Sequence, residues 1–263
     1  MANVLDELAN AARARVAARR ALRPEGELAA AARALPATGA FPFEEALAAP
    51  GVSFICECKK ASPSKGLIAP RFPYVDIARA YEDAGAAAVS VLTEPTRFLG
   101  SDDYLSEIAA SVRIPCLRKD FTVDAYMIYE AKLLGAAAVL LIVSLLDAKE
   151  LARDLELCDE LGLSALVEAH DAAEVRRALS AGARVVGVNN RNLKDFTVDV
   201  GAAARLRELV PAEVLFVAES GIRTADDVAR LRREGADAVL VGEALMRAAD
   251  KRAALRALEG EAR

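Results

Sequence analysis

Glu57 and Lys59 stand two residues apart at the end of an apolar run in residues 55–65, ICECKKASPSK. In an extended strand, positions i and i+2 share a face. This acid and this amine therefore look one way, while Cys56 and Cys58 look the other. A buried carboxylate or ammonium is costly without a partner, and the Ser-Pro-Ser break that follows puts the pair at a strand end, where a cavity mouth can hold both. The pattern recurs: Lys119 closes IPCLRK, Glu168 closes SALVE, and Glu219 comes near the end of EVLFVAES. Three carboxylates and two amines on one rim could transfer protons and hold an anionic substrate, which is the work of a general acid/base site. Lysine usage points the same way. The chain prefers arginine, yet of its eight lysines Lys59, Lys60, Lys65 and Lys119 lie at two of these ends. Lysine can give up a proton near neutral pH and arginine cannot. The competing reading is a ring of structural ion pairs.

For these ends to meet, the elements must share one opening. From residue 51 onward, eight strand-like runs alternate with helical stretches: VSFICE, AAVSVLT, IPCLRK, AAVLLIVS, SALVE, RVVGVN, EVLFVAES and DAVLVG. Asp124, Asp147, Asp171 and Thr224 stand where helix N-caps belong. A helix-end glycine before a small-residue strand recurs at Gly85, Gly135, Gly182 and Gly235, spaced 50, 47 and 53 residues apart. Each period holds two βα units. Short crossovers between strongly apolar strands imply parallel pairing under a coat of helices. Eight such units predict a closed (β/α)8 TIM barrel, of the α/β class, with its chemistry at the strand C-terminal ends. Neither a GxGxxG nor a GxxxxGK[ST] loop is present, against a nucleotide-binding open sheet.

Residues 1–50 read as an extra helical segment. Val4, Leu5, Leu8, Ala12 and Val16 recur at helical spacing, and PATGAFPF breaks the chain before a short helix at Phe43. The expected organisation is a helical extension over 1–50, packed on the barrel at its mouth or rim, and a catalytic barrel over 51–263. The last two strands run into Glu219-Ser220-Gly221 and Val241-Gly242-Glu243. Loops in this position of a barrel commonly hold phosphate on backbone N–H groups, and Gly221 and Gly242 would let an anion approach closely. The Glu243 side chain should point away from such an anion, leaving only its N–H to face it.

Composition narrows the function. The chain of 263 residues is 54% hydrophobic and 28% charged, with a net charge of −5, so a nucleic-acid-binding surface is not expected. No apolar run approaches the roughly 18–20 residues that span a bilayer, and the N-terminus lacks the apolar core of a secretory signal. The four cysteines form no CxxC pair and read as small buried residues of a reducing cytosol. One histidine rules out a His-rich metal site. It follows Glu168 by two and precedes Asp171, and reads as an ordinary loop residue or one standing behind the site. A cytoplasmic, cofactor-free and metal-free protein is expected, acting on a small molecule as a monomer or weak homodimer, with no nucleic acid or membrane as partner.

Seven motifs in order resemble the indole-3-glycerol-phosphate synthase family of tryptophan biosynthesis: ECKKASPSKG, LTEPTRFLGS, LRKDF, LVEAHD, VNNRNL, AESGI and VGEALM. The N-terminal VLDELANAARARVAARR resembles the family's extra leading helix. The resemblance implies a carboxy-lyase that converts 1-(2-carboxyphenylamino)-1-deoxyribulose 5-phosphate into indole-3-glycerol phosphate, carbon dioxide and water. It implies that Lys119 is the general acid for ring closure, and that Glu168 and Glu57 stabilise the cation developing on the anilino nitrogen. Lys59 would grip the substrate's carboxylate or phosphate. Asn189 and Glu219 would hold sugar hydroxyls, Arg191 would meet an anionic group, and Phe98 and Phe121 would line a slot for the anthranilate ring. Ser62, Ser220, Gly221, Gly242 and the Glu243 backbone resemble the family's phosphate contacts. The alternatives are a Schiff-base aldolase using Lys119 or Lys59, and a non-catalytic barrel that binds phosphorylated ligands.

Overall fold

A computed structural model of the chain describes residues 4–37, 40–191, 197–199 and 201–260. The motif VNNRNL lies only partly within these, since Asn192 and Leu193 fall outside the described residues. Eight parallel strands form a closed barrel: β1 (Ser53–Cys58), β2 (Ala88–Leu92), β3 (Cys116–Lys119), β4 (Ala138–Ile142), β5 (Ser164–Ala169), β6 (Val185–Asn189), β7 (Leu215–Glu219) and β8 (Ala238–Val241). Strand β8 closes back on β1, with Ser53 opposite Ala238 and Cys56 opposite Val241. Nearly every strand residue is buried, as the continuous apolar runs require of a sheet covered on both faces.

Three helices lead the chain, α1 (Val4–Leu22), α2 (Glu25–Ala34) and α3 (Pro42–Leu47). The crossovers carry α4 (Tyr74–Asp83), α5 (Asp102–Ala109), α6 (Ala125–Leu133), α7 (Ala148–Leu161), α8 (Ala172–Ser180), α9 (Ala202–Arg207) and α10 (Ala225–Arg233); α11 (Glu243–Arg247) and α12 (Lys251–Glu259) follow β8. The four expected N-caps accept backbone N–H groups: Asp124 from Tyr126, Asp147 from Lys149 and Glu150, Asp171 from Ala173 and Glu174, and Thr224 from Asp227. Gly85, Gly135, Gly182 and Gly235 all take positive φ, between 83° and 97°. They turn each helix end back toward the next strand in a conformation that a Cβ opposes.

The leading helices divide between the two ends of the barrel. Helices α1 and α2 pack against α6, where Arg19 pairs with Glu130 at 2.8 Å and Arg20 with Asp124 at 2.7 Å. Arg15 reaches the C-terminal end of β3 through Asp120 at 2.7 Å. Helix α3 departs from the expected place at the mouth or rim. Its buried Phe43 and Leu47 lie at the strand N-terminal ends, where Ser53 Oγ donates to the Ala46 carbonyl at 3.1 Å and Arg184, just before β6, pairs with Glu44 at 2.9 Å. Pro42 at the first helical position and two apolar residues four apart make α3 a plug for the barrel floor. A second difference lies after β1. The Ser-Pro-Ser stretch, read as a plain loop, forms a small antiparallel hairpin of Ala61–Ser62 against Gly66–Leu67.

Candidate active site

The barrel's C-terminal end opens into a cavity of about 350 Å³. Its floor is apolar, made by Leu92, Leu140, Ile142 and Leu240, and the charged strand ends rise around it. Strand alternation explains why: at the end of β3, Lys119 turns inward while Arg118 turns outward beneath α5 and α6. There Arg118 is fully buried and spends its donors on the Met127 carbonyl at 2.8 Å, Asp102 at 2.9 Å, Glu130 at 3.3 Å and Thr93 Oγ1 at 3.3 Å.

Lys119 sits between two carboxylates, with its Nζ 3.3 Å from Glu168 Oε2 on β5 and 3.5 Å from Glu219 Oε2 on β7. Burial opposes its charge, but Glu219, Glu168 and Glu57 outweigh burial and raise its pKa above the ordinary lysine value. Glu168 would be pushed up by burial, yet Lys119 and His170 hold it below the usual carboxylate range. Glu219 goes the other way. Burial raises it, Lys119 opposes, and the neighbouring Glu168 and Glu57 keep it up. Across the cavity Glu57 and Lys59 form an ion pair. The site therefore holds a protonated amine between two carboxyl groups whose proton affinities are driven apart.

Beside this cluster, just past the ends of β7 and β8, the rim suits an anion. Ser220 and Gly221, just past β7, both take left-handed backbone, with φ of 66° and 81°. For a serine this is a strained conformation, held by Asn190 Nδ2 donating to the Ser220 carbonyl at 3.1 Å. Gly242 leaves no room for a Cβ, which would collide with the Glu57–Lys59 pair. The Glu243 carboxylate is drawn along its own helix, accepting from Arg247 Nε at 3.1 Å and lying 3.6 Å from Lys65. Phe98 and Phe121 face each other with ring centroids 6.1 Å apart. Glu94 fixes the loop that carries Phe98 by accepting from the backbone N–H groups of Arg97 at 2.7 Å and Phe98 at 3.0 Å.

Glu57, Lys59, Ser62, Phe98, Lys119, Phe121, Glu168, Asn189, Arg191, Glu219, Ser220, Gly221, Gly242 and Glu243 all line this one cavity. Asp120, Arg223 and Arg247 line it too and were not singled out in the sequence. Arg247 lies one helical turn beyond Glu243, a spacing that pairs opposite charges on a helix and could have revealed it. Asp120 accepts from Arg15 and from Thr93, each at 2.7 Å, and from the Phe121 N–H at 2.8 Å. Its partners come from distant elements, which no local spacing announces.

A closed parallel barrel with an acid–amine cluster and an anion-suited rim at its strand C-terminal ends defines a (β/α)8-barrel enzyme acting on a small molecule. The family profile described as indole-3-glycerol phosphate synthase matches residues 5–258. The chain belongs to the indole-3-glycerol phosphate synthase family. It is 60% identical over 222 residues to a relative of that name from Ruminiclostridium cellulolyticum, covering 84% of this chain and 85% of the relative. It is 50% identical to one from Leuconostoc mesenteroides over 98% of this chain and 99% of the relative. Among solved structures, thiamine phosphate pyrophosphorylase from Pyrococcus furiosus aligns with a TM-score of 0.60 over 80% of this chain and 94% of its own, at 17% identity. That likeness shows the fold alone.

Proposed function

We propose that this chain closes the indole ring of indole-3-glycerol phosphate by acid–base chemistry at the cavity, with the roles distributed as follows. The phosphate of 1-(2-carboxyphenylamino)-1-deoxyribulose 5-phosphate lies against Ser220, Gly221, Gly242 and the Glu243 N–H, with Ser62 and Lys59 beside it. The anthranilate ring lies between Phe98 and Phe121. Asn189 and Glu219 hold hydroxyls of the open sugar, and Arg191 meets an anionic group.

The arene carbon that bears the carboxylate attacks the ketone carbon, and the ketone oxygen takes a proton from Lys119. The bond to the carboxylate then breaks, carbon dioxide leaves, and its electron pair restores the aromatic ring. The new hydroxyl leaves as water once an acid protonates it, with Lys59 placed to supply that proton. Electrons from the anilino nitrogen drive the departure, and Glu168 and Glu57 stabilise the cation on that nitrogen. Loss of a proton from the adjacent methylene carbon to a carboxylate completes the indole. Such a proton transfer is typically worth roughly 10²–10⁴ in rate.

The single observation that carries this reading is the Lys119 ammonium held within 3.5 Å of both Glu168 and Glu219 on a cavity whose adjoining rim, past β7 and β8, suits a phosphate. Adding the carboxyphenylamino sugar phosphate to the protein should produce indole fluorescence; silence would contradict the reading, and would favour a barrel that only binds. Borohydride added with substrate should trap no adduct on Lys119 or Lys59, whereas a stable adduct would indicate a Schiff-base aldolase. We further take residues 1–50 as a helical extension, residues 51–263 as the catalytic unit, the cytoplasm as the site of action, and a monomer or weak homodimer as the working state. No helix among the described residues is long and apolar enough to cross a membrane.

A further inference from the structure

His170, the chain's one histidine, stands behind the site rather than in it, and the two oxygens of Glu168 have different neighbours. Oε2 faces Lys119 Nζ at 3.3 Å, and Oε1 forms an ion pair with His170 Nε2 at 3.3 Å, a contact of charge rather than an aligned hydrogen bond. The imidazole is fixed from its other side, since Nδ1 lies 3.2 Å from Glu174 Oε2 and the His170 backbone N–H donates to the same oxygen at 2.8 Å. Glu174 belongs to the first turn of α8, whose N-cap Asp171 binds its backbone N–H at 2.9 Å. The chain of contacts thus runs from a capped helix through the imidazole to a carboxylate on the cavity wall. With one positive charge facing Oε1 and another facing Oε2, turning the carboxylate about its last torsion would separate both opposite-charge pairs, so its plane is set by charge.

We infer that His170 is a positioning residue for the ring-closure reaction, clamping Oε1 of Glu168 so that Oε2 stays aimed at Lys119 and the cavity. The inference rests on the function proposed above. The groups that bear on it come from each packed element: Lys119 of β3 faces Glu168, with Glu219 of β7 and Glu57 of β1 beyond Lys119, and Glu174 of α8 faces the imidazole. The 3-10 turn Val143–Leu145, which also borders β5, brings no titratable group. Burial disfavours charge on His170, but its contacts with Glu168 and Glu174 raise it to about 10. It therefore stays an imidazolium through neutral pH, and its charge helps keep Glu168 ionised beside Glu219, which takes up a proton more readily.

One histidine gives one imidazole Cε1–H resonance, which reads this directly. In the wild-type protein that signal should show no titration midpoint near the ordinary value of about 6.5, and a midpoint there would overturn the clamp. His170→Asn removes the charge. Its kcat should fall by about tenfold or more with KM little changed. The low-pH limb of its kcat profile should move up by about one pH unit, because Glu168 then gains its proton more easily. Glu174→Gln should move that limb in the same direction by less, and decides the matter if His170→Asn does not fold. A limb that stays in place in the folded variants, even with a uniform loss of rate, would reduce His170 to packing and overturn the inference. The resonance titration needs no substrate. If the wild-type protein were silent on the sugar phosphate while its imidazole stayed charged, the proposed function would fall and the clamp would stand.

Discussion

At the scale of single residues, the site works by placing opposite demands on neighbouring groups. Lys119 keeps its proton because two carboxylates flank it, and Glu168 keeps its charge because Lys119 and His170 do. Glu219, whose Oε1 lies against Gly187 with no hydrogen-bond partner among the described residues, is the group that tolerates a proton. A carboxyl whose folded pKa is raised stabilises the fold below its ordinary range, and that contribution is lost as pH climbs through the raised value. Glu219→Gln, which mimics the protonated acid, should therefore gain stability relative to wild type more at about pH 8 than at about pH 5. Urea melts at the two pH values check this, and an equal effect at both would contradict it. Gly187→Ala should displace Glu219, since a Cβ at that position meets its carboxylate. A folded variant with lowered kcat is expected in a steady-state assay, and an unchanged kcat would show that the carboxylate's position does not matter.

At the scale of elements, each strand end is aimed by what lies on its outer face. The buried Arg118 ties β3 to α5 and α6, so the inward direction of Lys119 is secured from outside the barrel. Arg118→Met should cost about 3 kcal/mol or more of stability, because Glu130 and Asp102 lose a buried partner; a denaturant titration measures it, and a loss within 0.5 kcal/mol (the range of ordinary surface changes) would contradict it. Much of this level was legible in the sequence. The strand runs, the four N-caps and the four left-handed glycines each follow from local rules, where a residue's own backbone preference decides. What was missed depends on tertiary contact. In LRK, Lys119 could be read as a strand end, but Arg118 meets Asp102 and Glu130, which alternation alone cannot foresee. Helix α3 has apolar residues that would suit either end of a barrel, and only its pairing with Ser53 and Arg184 sends it to the floor. The hairpin at Ala61–Ser62 was hidden because a two-residue strand leaves no periodicity to detect.

At the scale of the whole molecule, a chain of net charge −5 gathers cations and carboxylates around one opening, with Glu57, Asp120, Glu168, Glu219 and Glu243 among its lining. Lys59, Arg191, Arg223 and Arg247 line the cavity, and Lys65 stands beside Glu243 at its edge. A substrate carrying a phosphate and a carboxylate should be captured with help from these cations, each close enough to the opening to act at short range. Raising ionic strength from about 0.01 M to about 0.5 M, which shortens the screening length several-fold, should lower kcat/KM while leaving kcat nearly constant; a kcat/KM indifferent to salt would show that these cations do not guide capture. The convergence itself was legible because a barrel brings equivalent strand ends together. Asp120 was not seen as part of the site because its meaning lies in a partner supplied by α1, and the sequence left His170 between a loop residue and one behind the site because Glu174 of α8 is what fixes it.

The central claim is that Lys119 supplies the proton for ring closure, and a single turnover tests it most directly. Excess enzyme is mixed with the carboxyphenylamino sugar phosphate, and indole fluorescence and released carbon dioxide are followed together. The wild-type protein should form both in equal amounts. Lys119→Ala, still folded and still binding the substrate, should form both at least about a hundredfold more slowly. Near-normal formation of indole by that variant would contradict the assignment.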